Sequence, residues 1–489
     1  MKQIFWQQHY VTEFKKSWCL DNNGYERSGK EVDRLISVVP SGNQLSFHAL
    51  AYYNFIHFGM NTFTDREWGN GTEDPALFCP TALDTDQWCS VLKETGSKGI
   101  IFTAKHHDGF CLFDTAYTDH SVMNSPFGKD VLALLAKSCR KYDLKLGVYL
   151  SPWDRHEATY GTEAYNTFFA NQLTELCTNY GELFCFWFDG ACGEGSNGKT
   201  QRYDWDRYYH IIHTLQPGAV IANCGPDVRW IGNEEGKVRA SEWNVIPASA
   251  VSVEAVMETS QKEDGMLPVY DAYTKDLGSR EVLCRYQDLK WSPAEADISV
   301  TAGWFYHNTA YYRKKNPFGL RSARQLARIY FNTVGGNASL LLNVPPDPRG
   351  LISEREKKTL RAFAKRIRKP FAQEIPYTPS RVCMTGTPRA AETVLGMLAD
   401  DESGIRLTLN KKQTISTLVL CENIAFSQRV EAFSVYAKKG AGYCKLHDGT
   451  VIGTKKIIRF RCPVKTEELV LLVRQSRSNP VLSELHLYA

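Results

Sequence analysis

Residues 183–190 are Leu-Phe-Cys-Phe-Trp-Phe-Asp-Gly, an apolar run of six residues that ends in an aspartate. Such a run is typical of a strand that is buried on both faces, as in a parallel sheet covered by helices. Asp189 and Gly190 place a carboxylate, with open space after it, at the carboxyl end of this strand. A helix-capping aspartate is the plain alternative, but residues 190–195 begin no obvious helix. Because a carboxylate removed from water must be paired, hydrogen-bonded or used, Asp189 is the first candidate functional residue.

Similar apolar runs recur along the chain and alternate with amphipathic stretches that open on capping residues. Strands are predicted over 53–58, 99–105, 144–150, 183–189, 219–223 and 338–343. Helices are predicted over 84–95, 130–142, 162–180, 205–215, 322–333 and 354–368. This alternation predicts an α/β fold with a (β/α)₈-type barrel. An open doubly wound sheet is the alternative, although no dinucleotide-binding or phosphate-binding glycine motif follows any strand.

The pattern changes after a proline-bearing stretch that starts near residue 370. From Gly404 onward, short alternating runs separated by turn residues predict a small antiparallel β-sandwich. These runs cover 404–409, 414–420, 430–437, 451–460, 468–473 and 482–489. We therefore divide the chain into an N-terminal lead-in over 1–37, a barrel over 38–370 and a C-terminal sandwich over 371–489.

Composition narrows the class of protein. Of 489 residues, 43% are hydrophobic and 23% charged, which suits a packed core, and the formal net charge is only +4. The basic cluster at 365–369 is interpreted as a solvated helix end, so neither a nucleic-acid nor a membrane partner is expected, and the oligomeric state is left open. Fourteen cysteines without a C-x-x-C pair suggest free thiols. With no signal-peptide-like segment in residues 1–14, we expect a cytoplasmic location.

Histidines and aromatic residues gather where the predicted strands end. His57 lies near the end of the first predicted strand, His106 and His107 follow the second strand, and Tyr149 lies near the end of the third strand. A single histidine is more often a hydrogen-bonded core residue, but three at two successive strand ends favour a functional site. The loop over 225–236 (GPDVRWIGNEEG) combines Gly, Asn, Trp and Glu, which suits an extended substrate loop.

The ordered motifs resemble the α-L-fucosidases of glycoside hydrolase family 29, and within them the subgroup that prefers α1,3 and α1,4 linkages. The resemblance runs from about residue 38 to 352. It is carried by FIHFGMNTF (55–63), EWGNG (67–71), FTAKHHDGFCLF (102–113), YLSPWDRH (149–156), FWFDGACGEGSNGK (186–199), GPDVRWIGNE (225–234), GWFYH (303–307) and LLLNVPPDPRGLI (340–352).

The resemblance implies a retaining mechanism in which Asp189 is the nucleophile and Glu234 the acid/base. The two carboxyl groups of such an enzyme stand about 5 to 5.5 Å apart. The resemblance also implies that a fucosylated oligosaccharide is the substrate and that no metal or organic cofactor is required. The residues implied to surround fucose are His57, Glu67, Trp68, His106, His107 and Tyr149, with Trp304 as an aromatic wall.

Four points leave alternatives open. Glu235 and Glu242 stand close to Glu234 in the sequence, and Thr301-Ala302 replaces the Arg-Pro expected before GWFYH, which bears on local contacts. The strand-end histidines together with Asp189 would also suit a metal-dependent barrel hydrolase. A non-catalytic glycan-binding protein is the third class, and the presence of both candidate catalytic carboxyls argues against it.

Overall fold

The computed structural model describes residues 29–260, 276–308, 319–383, 403–478 and 480–489. The strands of the N-terminal part are β1 (Tyr52–Ile56), β2 (Gly99–Lys105), β3 (Lys145–Leu150), β4 (Leu183–Phe188), β5 (Val220–Asn223), β6 (Arg229–Trp230), β7 (Val245–Pro247), β8 (Leu289–Trp291), β9 (Ala294–Ser299) and β10 (Ala338–Asn343). The helices are α1 (Gly29–Ser37), α2 (Gly42–His48), α3 (Met60–Thr64), α4 (Thr85–Thr95), α5 (Val131–Lys141), α6 (Glu163–Asn179), α7 (Trp205–Leu215), α8 (Val253–Ser260), α9 (Arg280–Leu283), α10 (Ala323–Thr333) and α11 (Glu354–Arg368).

Within these described ranges, eight strands form one parallel sheet in the order β5-β4-β3-β2-β1-β10-β9-β6. A parallel bridge between Ala222 and Val228 joins the two outer strands, so the sheet closes on itself. The predicted barrel is confirmed. Its strands are buried on both faces, which explains why most of them are continuous apolar runs.

The predicted helices begin within one residue of the observed ones because their caps are present in the sequence. Asp84, Asp130 and Asp204 each accept a hydrogen bond from a backbone N–H in the first turn of α4, α5 and α7. Ser322 and Ser353 form capping boxes at α10 and α11. Among all the helices described, none is long and apolar enough to cross a membrane.

Two barrel strands, β6 and β9, are absent from the predicted set. β9 has the sequence AEADIS, and its two acidic residues are buried. The Tyr53 hydroxyl and the Trp187 indole N–H both donate to Glu295, and the Trp230 indole N–H donates to Asp297 over 2.9 Å. Because carboxyl groups fill part of the barrel interior, the hydrophobic pattern that identifies the other strands is missing here.

The C-terminal part is an antiparallel sandwich, as predicted, built from a seven-stranded set within the described residues. Its strands are β11 (Glu374–Ile375), β12 (Thr378–Cys383), β13 (Ser403–Glu422), β14 (Val430–Lys439), β15 (Gly442–Gly449), β16 (Lys456–Ser476) and β17 (Leu482–Tyr488). The separate runs predicted over 404–409 and 414–420 are one strand, β13. Its pairing with β16 shifts register between Thr408 and Gln413, so the polar residues between them mark a bulge and not a turn.

The sandwich is joined to the barrel by polar contacts near residues 240–242. The Asn337 side chain donates to the carbonyl of Glu242 over 2.7 Å and accepts from the backbone N–H of Thr454 over 2.7 Å. Lys456 Nζ, from β16, donates to the Ser241 hydroxyl over 2.7 Å. The sandwich therefore fixes the segment that follows the predicted substrate loop.

A buried ion pair lies behind the barrel mouth. Lys105 Nζ, at the end of β2, is 2.8 Å from Asp154 Oδ2 and 3.1 Å from Gln172 Oε1, and both charged side chains are essentially inaccessible to solvent. Burial alone would raise the pKa of Asp154, but the Lys105 ammonium overrides burial and the pKa is lowered. The pair ties the end of β2, where His106 begins, to the loop that follows β3.

We expect Lys105→Met to destabilise the protein by about 3–5 kcal/mol, because it leaves the Asp154 charge buried without its partner. Urea denaturation measures this change in the free energy of unfolding. The control is Lys93→Met, which breaks the exposed Lys93–Asp143 pair and should change stability little. Equal effects of the two substitutions would contradict the structural role assigned to the buried pair.

Candidate active site

The strand-end residues predicted from the sequence converge at one mouth of the barrel. His57 follows β1, His106 and His107 follow β2, Tyr149 lies in β3, and Asp189 follows β4. The ring centroid of His106 lies 5.8 Å from that of His57, 4.2 Å from that of His107 and 5.5 Å from that of Tyr149. This mouth is the carboxyl-end face, where barrel enzymes carry their catalytic groups.

Asp189 is held by donors on both carboxylate oxygens. The Tyr149 hydroxyl donates to Oδ2 over 2.8 Å, and the backbone N–H of Ala191 donates to Oδ1 over 2.9 Å. His107 Nε2 lies 3.8 Å from Oδ2. The side chain is 23% exposed, so the carboxylate is oriented and still accessible to a ligand.

The hydrogen bonds of His107 define its tautomer. Burial lowers the pKa of His107 to about 4, although the nearby Asp189 charge opposes this shift, so the ring is neutral at pH 7. The Ser151 hydroxyl donates to the Trp153 carbonyl over 2.6 Å and therefore accepts from His107 Nδ1, which is 2.7 Å away. The Nε2 lone pair of His107 is left facing the site as an acceptor.

His57 and His106 are neutral as well. Burial lowers the pKa of His57 to about 3 and that of His106 well below its usual value. His57 Nδ1 donates to the side-chain amide oxygen Oδ1 of Asn343 over 2.9 Å, which leaves Nε2 as an acceptor. His106 Nδ1 accepts from the Asn61 amide over 3.4 Å, which leaves an N–H on Nε2 as a donor. The three imidazoles thus offer two acceptors and one donor, a set suited to a polyhydroxylated ligand.

Glu67, Trp68 and Trp304 form the other side of the mouth. Glu67 Oε2 accepts from the backbone N–H of Trp304 over 2.8 Å. The Trp68 ring packs edge-on against His107, with centroids 5.6 Å apart, and the Trp304 ring lies 5.1 Å from that of His57. Both indoles are partly exposed, so they present apolar surface beside the polar groups.

Glu234 reaches the same site from the loop that follows β6. Burial raises the pKa of its carboxyl to about 8, and the charges of Asp189 and Glu67 add to this effect. A hydrogen bond from the Trp304 side chain acts in the opposite direction. The predicted carboxyl pair therefore lies in two contrasting environments, since Asp189 receives two hydrogen bonds while the Glu234 carboxyl is desolvated.

The two neighbouring glutamates occupy other positions. Glu235 is exposed. Glu242 is buried, and its carboxylate is engaged by Arg229 Nη2 at 3.0 Å and by Arg239 Nη1 at 2.8 Å. Of the three, Glu234 is the one placed in electrostatic contact with the strand-end carboxylate.

The departure at Thr301-Ala302 is accommodated by the segment that follows residue 318. Thr301 pairs with Leu320 in an antiparallel bridge, and Arg321 Nε donates to the Ser299 carbonyl over 2.9 Å. A guanidinium therefore lies at the end of β9, although the expected Arg-Pro pair is missing from the sequence at this point.

Sequence reasoning missed several residues that orient the site. Ser151 and Asn343 lie at the ends of predicted strands, so their position was a usable signal. Asn61 and His307 contact His106 and Glu67, but they lie away from the predicted strand ends. Within the described part of the chain, no group of three or more His, Cys, Asp or Glu side chains is arranged to hold a metal ion, so the metal-dependent alternative finds no ligand cluster there.

Comparisons with known proteins identify the relatives of this arrangement. The Alpha-L-fucosidase family model matches residues 42–369. Alpha-L-fucosidase 1 of Arabidopsis thaliana is 37% identical over 471 residues, covering 92% of this chain and 87% of the relative. A crystal structure of a candidate α-L-fucosidase from Bacteroides ovatus is 42% identical with a TM-score of 0.80, covering 94% of this chain and 75% of that one. A Ruminococcus gnavus GH29 fucosidase, solved in complex with fucose, is 26% identical with a TM-score of 0.74, covering 92% and 95%.

Proposed function

The chain belongs to the α-L-fucosidases of glycoside hydrolase family 29, and we propose that it hydrolyses terminal α1,3- and α1,4-linked L-fucose with retention of configuration. The observation that carries the proposal is the pairing of Asp189 and Glu234 in opposite environments. One carboxylate is stabilised by hydrogen bonds and accessible, whereas the other has a pKa raised to about 8 by burial and by its acidic neighbours. An ionised nucleophile beside a protonated acid is what the first chemical step needs.

In that step, Asp189 attacks the anomeric carbon of fucose while Glu234 donates its proton to the departing glycosidic oxygen. A covalent fucosyl ester forms on Asp189, and the aglycone leaves as an alcohol. Glu234, now ionised, takes a proton from an incoming water. The water oxygen attacks the anomeric carbon, the ester bond breaks, and fucose leaves with its α configuration, so each carboxyl returns to its starting state.

The remaining polar groups suit the sugar. Fucose presents three hydroxyls, which match the acceptor Nε2 atoms of His57 and His107, the donor Nε2 of His106 and the Glu67 carboxylate. Its apolar C6 methyl would lie against indole surface such as that of Trp304. The Ruminococcus gnavus relative binds fucose, which supports the same ligand here. Because the three imidazoles are buried, an analogue that lacks one of the hydroxyls they bind would leave a polar group unpaired and bind poorly.

The stereochemistry of the first product tests the mechanism. Proton NMR of a fucoside digest should show the α anomer of fucose before mutarotation produces the β anomer. Asp189→Asn should abolish turnover, whereas Asp143→Asn, at an exposed loop position, should not. Initial release of the β anomer would refute the double-displacement mechanism, and absence of any fucose would favour a non-catalytic glycan-binding protein.

The pH profile tests the role of Glu234. Because its raised pKa keeps the carboxyl protonated at neutral pH, kcat/KM should fall as the pH rises through about 8, when the acid loses its proton. The Trp304 hydrogen bond lowers this pKa, so Trp304→Phe should move the alkaline limb to higher pH. Only the position of the limb is compared, since the substitution also changes sugar contact. A limb that stays in place in Trp304→Phe, or that persists in Glu234→Gln, would assign it to another group.

Linkage preference rests on the resemblance of the 55–63 and 225–234 motifs to one subgroup. We expect a Lewis-type branched trisaccharide with α1,3- or α1,4-linked fucose to be cleaved faster than an α1,2-fucosylated lactose. Fucose release from the two substrates, assayed in parallel at equal concentration, measures the preference. Faster cleavage of the α1,2 linkage would overturn the subgroup assignment and leave the family assignment intact.

A further inference from the structure

A histidine outside the predicted site connects two carboxylates at the barrel mouth. The His307 ring is inaccessible to solvent, and its Nδ1 lies 3.1 Å from Asp65 Oδ1 while its Nε2 contacts Glu67 Oε1. The other contacts of Asp65 come from Asn308, whose backbone N–H donates to Oδ1 over 3.0 Å and whose amide donates to Oδ2. The segment around residue 307 is therefore anchored to the loop that carries Glu67.

The contacts of Glu67 leave its carboxylate little rotational freedom. Oε1 contacts His307, Oε2 accepts from the backbone N–H of Trp304, and the Glu67 carbonyl accepts from the Asn61 amide over 3.2 Å. Gly303 gives the close approach: a Cβ at this residue would lie 2.2 Å from Glu67 Oε1, and its φ of +85° disfavours other residues. The same short segment thus supplies a ring, a backbone donor and the space that Glu67 needs.

Residues 303–307 also reach the second half of the site. The Trp304 side chain lowers the pKa of the Glu234 carboxyl, while its backbone N–H donates to Glu67 Oε2 over 2.8 Å. The Trp304 carbonyl in turn accepts from the Asn343 amide over 2.7 Å, which links the segment to the end of β10. The segment therefore contacts Glu67 directly and also acts on the pKa of the Glu234 carboxyl.

We propose that His307 is a positioning residue that acts through Glu67, with Asp65 as its anchor, and thereby sets the affinity of the site for the fucosyl group. The inference rests on the proposed function, in which Glu67 binds a fucose hydroxyl. The His307 ring is inaccessible to solvent, so in this proposal it is not itself a ligand of the sugar. The ring contacts Glu67 Oε1 and fixes the orientation of the carboxylate that faces the ligand. Without the ring, the Glu67 side chain would be more mobile in the free protein and would lose conformational entropy each time the ligand binds.

Two substitutions separate the two ring contacts. An asparagine amide reaches about as far as histidine Nδ1, and a glutamine amide reaches about as far as Nε2. His307→Gln should therefore retain the Glu67 contact and stay close to wild type. His307→Asn should lose it and lower both kcat/KM and the affinity for free fucose about 10- to 100-fold, the usual effect of losing a hydrogen bond to a charged group. The reverse order of the two variants would overturn the proposal.

A double-mutant cycle with Glu67→Gln tests whether His307 acts through Glu67. If it does, His307→Asn should change kcat/KM much less in the Glu67→Gln background than in wild type. Equal effects in both backgrounds would show a merely structural role. Thermal unfolding of each variant shows whether it folds. If His307→Asn does not fold, the cycle is repeated with Asp65→Asn, a substitution at a side chain that is 39% exposed.

His486 provides the matched control. Its ring contacts Glu374 at 2.6 Å and Glu484 at 3.5 Å, but it lies in β17 of the sandwich. His486→Asn should leave kcat/KM and fucose affinity unchanged. Failure of the proposed function and failure of this inference give different results. If the wild-type protein releases no fucose, the proposed function is wrong. The affinity of the His307 variants for free fucose then still tests the role of His307.

Discussion

Charge taken out of water must be paired, hydrogen-bonded or neutralised, and this constraint governs the barrel mouth. Four buried ionisable groups show three solutions. Lys105 and Asp154 neutralise each other, and the lowered pKa of Asp154 records that attraction. Burial, with the nearby Glu234 adding to it, raises the pKa of Asp297 well above its usual range, which favours the neutral form of this carboxyl. The buried histidines, such as His57, stay neutral through burial.

The same constraint separates the two proposed catalytic carboxyls. Asp189 follows a strand whose end exposes the backbone N–H of Ala191 and faces the Tyr149 hydroxyl, so its charge is stabilised by fixed dipoles. Glu234 arrives on a loop and enters a space already occupied by the charges of Asp189 and Glu67, where ionisation is unfavourable. The raised pKa of Glu234 therefore follows from where this residue enters the barrel mouth and requires no special chemistry of its side chain.

Sequence patterns predict the parts of this fold in which burial and polarity agree. Apolar runs with capped helices between them give six barrel strands and the barrel itself, and the strand-end position finds Asp189 and three histidines. The patterns do not predict β9, because its residues Glu295 and Asp297 are acidic and yet buried in the barrel. They fail again at His307, which acts on a neighbour and leaves no periodic signal. The roles of the individual site residues stay predictions, since the resemblance that supplies them is a likeness of motifs.

The raised pKa of Glu234 links its proposed catalytic role to the stability of the fold. In the unfolded chain its pKa would be about 4.3, and in the folded chain it is about 8, so between these values the folded protein binds a proton that the unfolded chain has lost. The contribution of this carboxyl to stability is complete below the unfolded pKa and declines as the pH rises towards 8. A more exposed Glu234 would remove that loss, but it would also be ionised at neutral pH and unable to protonate the leaving oxygen. The environment that raises the pKa of Glu234 thus keeps a destabilising acid protonated at the pH at which the proposed mechanism uses its proton.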